Sequence, residues 1–201
     1  ERDRPDRQRS LRASLLGSWE LLTDGGRSAL AQLSAFEGGF TLEAADAVLS
    51  CADDRPTLDL LEELVDASVV RLDSDSGRFG MLVVVHAFAS EQLTGAERDE
   101  AERRHGAYFA PLGREEALEA LASHGAVERL RAQSVEVDNL VAALRRAVDR
   151  ADPRTAAATL RATWAVLELR GPWGVGLALA DRVLAMPGLA GLLRGQTAEV
   201  A

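Results

Sequence analysis

The feature that most constrains this chain is a change in the spacing of its apolar residues near residue 95. Before it, stretches at helical spacing lead into two short runs of β-forming residues; after it, only helical spacing remains. "SLRASLLGSWELL" (10–22) carries Leu11, Leu15, Trp19 and Leu22 on one helical face, with Ser10 placed as N-cap and "TDGG" as the break that follows. "RSALAQLSAF" (27–36) reads as a second helix closed by Gly38 and Gly39. Thr41 caps a third, "LEAADAVLS", with Glu43 in the first turn, where the helix dipole favours a carboxylate. After the loop "CADDRP", Pro56 suits the first turn of a fourth helix, "TLDLLEELVDASV".

In "VVRLDSDSGRFGML" the turn-forming "DSDSG" separates two β-type runs, which predicts a hairpin. Within "RFGMLVVVHAFASEQL" (78–93), residues to 82 finish the hairpin, and a helix begins at about Val83, with Val84, Phe88 and Leu93 near helical spacing. Four helices and a hairpin are the element order of a winged helix-turn-helix domain, placed over residues 1–95. Residues 96–201 read as antiparallel helices in pairs, a tetratricopeptide-like array that stops within a repeat in "GLLRGQTAEVA". The segments are "AERDEAERRHGAYFAPL" (96–112), with Ala107, Tyr108 and Leu112 off its charged side, and "EEALEALASHGAVERLRAQ", one helix or two parted at His124 and Gly125. "EVDNLVAALRRAVDRAD" follows, ended by Asp152 and Pro153, and then "RTAAATLRATWAVLELRG" and "WGVGLALADRVLAMPG". Trp164 and Ala180 suit the repeat consensus in type. The fold class expected is therefore mainly α, a composition with 47% hydrophobic but only 4% aromatic residues favouring helix-on-helix packing.

Chemistry is sparse. All 23 basic residues are Arg, so no phosphate loop of the lysine-bearing type can form, and the lack of Lys and Ile suggests a high-GC bacterial genome. "GPWGVG" (171–176) follows a helix instead of a strand, unlike a dinucleotide loop. His86, His105 and His124 lack metal-ligand spacing and read as surface or core residues. The pairs Asp53-Asp54, Glu62-Glu63 and Glu115-Glu116 read as solvated faces. Cys51, the only cysteine, excludes an internal disulfide, reads as a small residue closing a helix, and fits a reducing, cytoplasmic setting. No apolar run is long enough to cross a bilayer, and the charged opening "ERDRPDRQRS" reads as an internal cut with no signal peptide. No active site, metal site or cofactor site is expected.

The formal net charge of −9 argues against a general nucleic-acid surface. In a DNA-reading winged helix the helix before the hairpin offers basic or amide side chains to the major groove. Here it offers Asp59, Glu62, Glu63 and Asp66 and nothing basic, and Arg71 and Arg78 on the hairpin are too few to offset them. Those four carboxylates, together with His86, are candidate contacts to protein instead.

"RQRSLRASLLGSWELL", "LSAFEGGFTLEAADAVL", "LDLLEELVDASVV" and "GRFGMLVVVHAFASEQL", in this order, resemble the winged-helix segment of bacterial STAND ATPases, the NB-ARC-type signalling ATPases of large transcriptional regulators. "RRHGAYFAPL", "VEVDNLVAALRRAVDRADP" and "LRATWAVLELRG" resemble the tetratricopeptide-type region that follows it. The resemblance covers nearly the whole chain, and "LSAFEGGFTLEAA" (33–45) is its most specific part. It implies a non-catalytic regulatory fragment that docks on a nucleotide-binding module upstream, where ATP or ADP and Mg would bind, and whose repeats meet a protein or small ligand. In NB-ARC relatives a Met-His-Asp motif at the hairpin-to-helix joint reaches the nucleotide. Met81 agrees with that motif, but Leu82 and Val83 replace its His and acid, the bacterial branch often having Met-Leu-Glu, and His86 stands where Arg is common. The joint is therefore expected to act by apolar docking, or simply to fill the domain core. The fragment is expected to be monomeric. The rival readings are a DNA-binding winged-helix regulator and a plain tetratricopeptide-type scaffold.

Overall fold

A computed structural model describes the backbone of residues 4–50 and 55–189. Cys51, Asp53, Asp54 and the stretch 191–201 lie outside the described residues, as do the side chains of Ser10 and Leu11. The described residues are mainly helical with one small two-stranded antiparallel sheet, and the chain divides into two compact units, residues 1–101 and 102–201.

The first unit opens with α1 (Arg4–Leu21) and α2 (Asp24–Leu33). Ser10 therefore sits inside α1, not at its N-cap. The helix does break at "TDGG" as expected, but the break is confined to Leu22 and Thr23. Thr23 caps α2, its hydroxyl accepting from the Gly26 amide at 3.0 Å, so that both glycines fall in the first turn. Arg27 reaches back to the Trp19 and Glu20 carbonyls at 3.0 and 2.9 Å, satisfying acceptors that the end of α1 leaves open. α3 (Leu42–Val48) is capped by Thr41 as expected, through the Ala44 amide. α4 (Thr57–Asp66) starts one residue after Pro56 and turns Leu60, Leu61 and Leu64 into the core.

Strands β1 (Arg71–Asp73) and β2 (Arg78–Gly80) pair with Leu72 opposite Phe79. Their turn ends at Gly77, whose φ of 66° is the left-handed conformation that glycine adopts without steric cost. Helix α5 (Val83–Gln92) begins where the sequence placed it. Phe40 extends the sheet: it exchanges two backbone hydrogen bonds with Phe79, at 2.9 and 2.8 Å, and its ring stacks between Phe36 and Phe79. The "LSAFEGGFTLEAA" run is thus the spine of this unit, with Leu33, Phe36, Phe40, Ala44 and Ala45 all buried. Helix α2 packs on α3, α4 and α5, and Trp19 of α1 meets the Phe88 ring edge-on at 5.5 Å.

The division between units falls within α6 (Gly95–Phe109), the expected boundary of 95 being its first residue. A 3-10 turn at Ala110–Gly113 leads to α7 (Glu115–Ala120) and α8 (Ala126–Ser134), so the sequence around Gly125 forms two helices. Next come α9 (Val137–Asp149), α10 (Pro153–Arg170) and α11 (Trp173–Leu184). α9 ends at Asp149, three residues before the expected Asp152 and Pro153, which instead begin α10, the Asp152 carboxylate accepting from the Thr155 amide at 3.1 Å. The core joins Leu144 and Ala147 of α9, Ala156 of α10, and Leu179 and Val183 of α11. On α6 the buried residues are Ala101, His105, Gly106 and Phe109, whereas Ala107 is exposed and Tyr108 only half-buried, which corrects the apolar face expected there.

Candidate functional site

Two surfaces of the first unit hold the residues singled out by sequence. The first follows α4. Asp59, Glu62 and Asp66 are exposed and recur at intervals of three and four, which puts them on one helical face. They line a groove of about 580 Å³ with Leu21, Arg55 and Glu63.

Glu63 differs from its neighbours. Its carboxylate accepts from the Thr23 amide at 2.7 Å, the Thr23 hydroxyl at 2.9 Å and the Arg55 guanidinium at 2.6 Å. Partial burial acts to raise its pKa, but the hydrogen bonds from Arg55 and Thr23 and the Arg55 charge outweigh this, and the net shift is downward. Glu63 ties α4 to the start of α2; the surface facing outward is carried by Asp59, Glu62 and Asp66.

The second surface is the joint between β2 and α5. Met81 is half-buried, while Leu82, Val83 and Val84 are 46%, 84% and 40% exposed. Val85 and Phe88 turn inward. The helical repeat explains the split, because adjacent residues are about 100° apart and so cannot share the buried face. His86 is half-buried, with Nε2 enclosed and without a hydrogen-bond partner among the described residues. Neither Leu82 nor Val83 has a side-chain donor or charge to offer a phosphate.

In the second unit a groove of about 610 Å³ lies among α7, α8, α10 and α11, walled by Leu118, Leu121, Leu130, Leu160, Trp164, Leu177 and Ala180. Sequence reasoning named Trp164 and Ala180 as repeat residues but missed the cavity they help to form. The available signal was a surplus: Leu118, Leu121 and Leu130 flank a break at Gly125 on helices too short to bury them all. Among the described residues no group of His, Cys, Asp and Glu is placed to hold a metal, and no helix is long and apolar enough to cross a membrane.

No family model matches the chain, and no solved structure matches it. Similar proteins are nevertheless found. Over 142 residues the chain is 37% identical to proteins of Mycobacterium tuberculosis (strains H37Rv and CDC 1551) and Mycobacterium bovis, each named provisionally as an HTH-type transcriptional regulator. The match takes in 68% of this chain but only 16% of each relative. The chain is thus similar, over most of its length, to about a sixth of much longer proteins named as transcriptional regulators.

Proposed function

We propose that the chain is a non-catalytic regulatory segment of a bacterial transcription regulator. Residues up to about 95 act as a winged helix that docks on protein, namely the nucleotide-binding module of the same polypeptide. The helices beyond begin a tetratricopeptide-type array that receives the signal, a protein or a small ligand. The observation that carries this reading is the surface of α4: exposed carboxylates at Asp59, Glu62 and Asp66, and no basic residue from Thr57 to Asp66. Such a face repels phosphates and forgoes counterion release on DNA. The apolar joint at Leu82 and Val83 supports docking, since exposed aliphatic side chains gain free energy when a partner covers them. Nucleotide and Mg belong to the other module in this reading.

The second reading, direct DNA binding, is favoured by the name of the relatives. That name belongs to proteins of which the match is a small part, so it does not assign DNA contact to this segment. Two titrations separate the readings. Random duplex at ~50 mM salt should not be retained by the chain, because non-specific binding rests on neutralised phosphates. A fluorescent ADP analogue with Mg should show no saturable binding. Retention of duplex would favour the second reading, and micromolar binding of ADP would overturn the first.

A further inference from the structure

The groove of the second unit has a directional charge pattern. Its walls are Leu118, Leu121, Leu130, Leu160, Trp164 and Leu177, and its volume of about 610 Å³ lies in the usual range for small-molecule pockets. Among the described residues that line it, only Arg161 and Glu168 bring charge. They stand on α10 with Trp164 between them, at spacings of three and four that keep all three on one face, and seven residues separate the charges by roughly 10 Å along the axis. Arg161 is paired with Glu115, so that end of the groove is neutralised. Glu168 is exposed, and among the described residues its carboxylate has no ion pair or hydrogen bond, its backbone carbonyl alone accepting from the Trp173 indole. The indole that forms the wall is held in place: a Cβ at Gly176 of α11 would come within 3.0 Å of the Trp164 ring and 3.2 Å of Leu167. The groove therefore has an apolar floor, a fixed aromatic wall, one cancelled charge and one open carboxylate.

We propose that this groove binds an elongated apolar small molecule with a single terminal cation. Its hydrocarbon part lies along the leucines and Trp164, and its cationic head meets Glu168. Both the carboxylate and the electron-rich face of the indole favour a positive group over a neutral or negative one. The proposal names the ligand class for the part of the chain read above as receiving the signal, and it rests on that reading. Its test uses neither DNA nor nucleotide, so its failure leaves the docking of the first unit standing.

Titration calorimetry on the intact chain with decylammonium, decanol and decyl sulfate tests it. Decylammonium should bind saturably, about tenfold tighter than decanol, as a cation–π contact and an exposed ion pair together provide. Decyl sulfate should bind most weakly. Glu168→Gln should remove most of the preference for decylammonium while leaving decanol within about twofold. Leu177→Ser, at a half-exposed wall position, should weaken decylammonium and decanol alike. No saturable binding of decylammonium, equal affinity for the three probes, or binding that neither substitution alters would each overturn the proposal.

Discussion

At the scale of single residues, Glu63 and His105 show why neighbours in sequence part company in the fold. Leu60, Leu61 and Leu64 set the inward face of α4, and Glu63, three residues after Leu60, falls at its edge, while Glu62 points to solvent. An adjacent pair of glutamates is legible as a charged helix surface; that one of them ties down Thr23 and Arg55 depends on elements forty and eight residues away. Glu63→Gln should lower the stability of the first unit by about 1.5–3 kcal/mol in urea at pH 7, as expected for hydrogen bonds to a charged group. The folded-state pKa lies below the ordinary value of 4.5, so this stabilisation is full above that value and is lost as acid protonates the carboxylate. The difference between wild type and variant should shrink below about pH 4. His105 is fully buried against Phe109, with ring centroids 4.8 Å apart. Burial first, then the Arg146 and Arg150 charges, push its pKa down to about 3, with the nearby Asn139 side chain acting the other way. Its unfolded form takes up a proton near 6.5 and its folded form only near 3, so stability is lost as pH falls through that window. By pH 5 the loss should be about 2 kcal/mol, and His105→Leu should flatten the profile between pH 7 and 5. A slope unchanged by that substitution would assign the titration elsewhere.

At the scale of elements, the helices and the hairpin could be read because their signals are local. Thr41 precedes an apolar period and caps α3; "DSDSG" turns β1 into β2; α5 starts at Val83. The failures came where a local signal met a tertiary partner. Gly25 and Gly26 read as part of the break, yet Thr23 supplies a cap, and a Cβ at Gly26 would collide with the Glu63 carboxylate, so glycine there serves packing. Nor could the sequence show that Phe40 pairs with Phe79. Strands of three residues do not hold a hairpin in water unaided, and the Phe36, Phe40 and Phe79 stack supplies what the ladder lacks. Phe40→Ala should therefore cost about 3–5 kcal/mol and loosen the hairpin together with the core. Amide exchange in β1 and β2 should rise more than the global loss alone explains. Gly77→Ala acts on the turn only; placing a Cβ at a φ of 66° should cost about 1–2 kcal/mol. Equal protection of β1 and β2 in wild type and Phe40→Ala would mean that the hairpin stands without its bridge.

For the whole molecule, the decisive quantity is where charge lies relative to apolar surface. A net charge of −9 was plain from composition, but the division of the α4 carboxylates into an outward set and one inward tie was not. Nor was the groove beside Trp164, because a cavity depends on how far apart four helices settle. The outward set allows a test of whether this chain meets DNA or protein. Reversing Glu62 and Asp66 to Arg removes two negative charges from one face of α4 and adds two positive ones, without touching Glu63 or the buried leucines. Stability should stay within about 0.5 kcal/mol, as for other substitutions at exposed positions. The wild-type chain should pass through immobilised duplex at ~50 mM salt, whereas the reversed chain should be weakly retained and released as salt rises, each phosphate contact steepening the dependence by about one power of concentration. That contrast follows from docking on protein, where a carboxylate face is no hindrance. If the wild type were itself retained, and the reversal at α4 altered its affinity for duplex, that helix would be lying against DNA, and the exposed leucine and valine of the joint would need some other purpose.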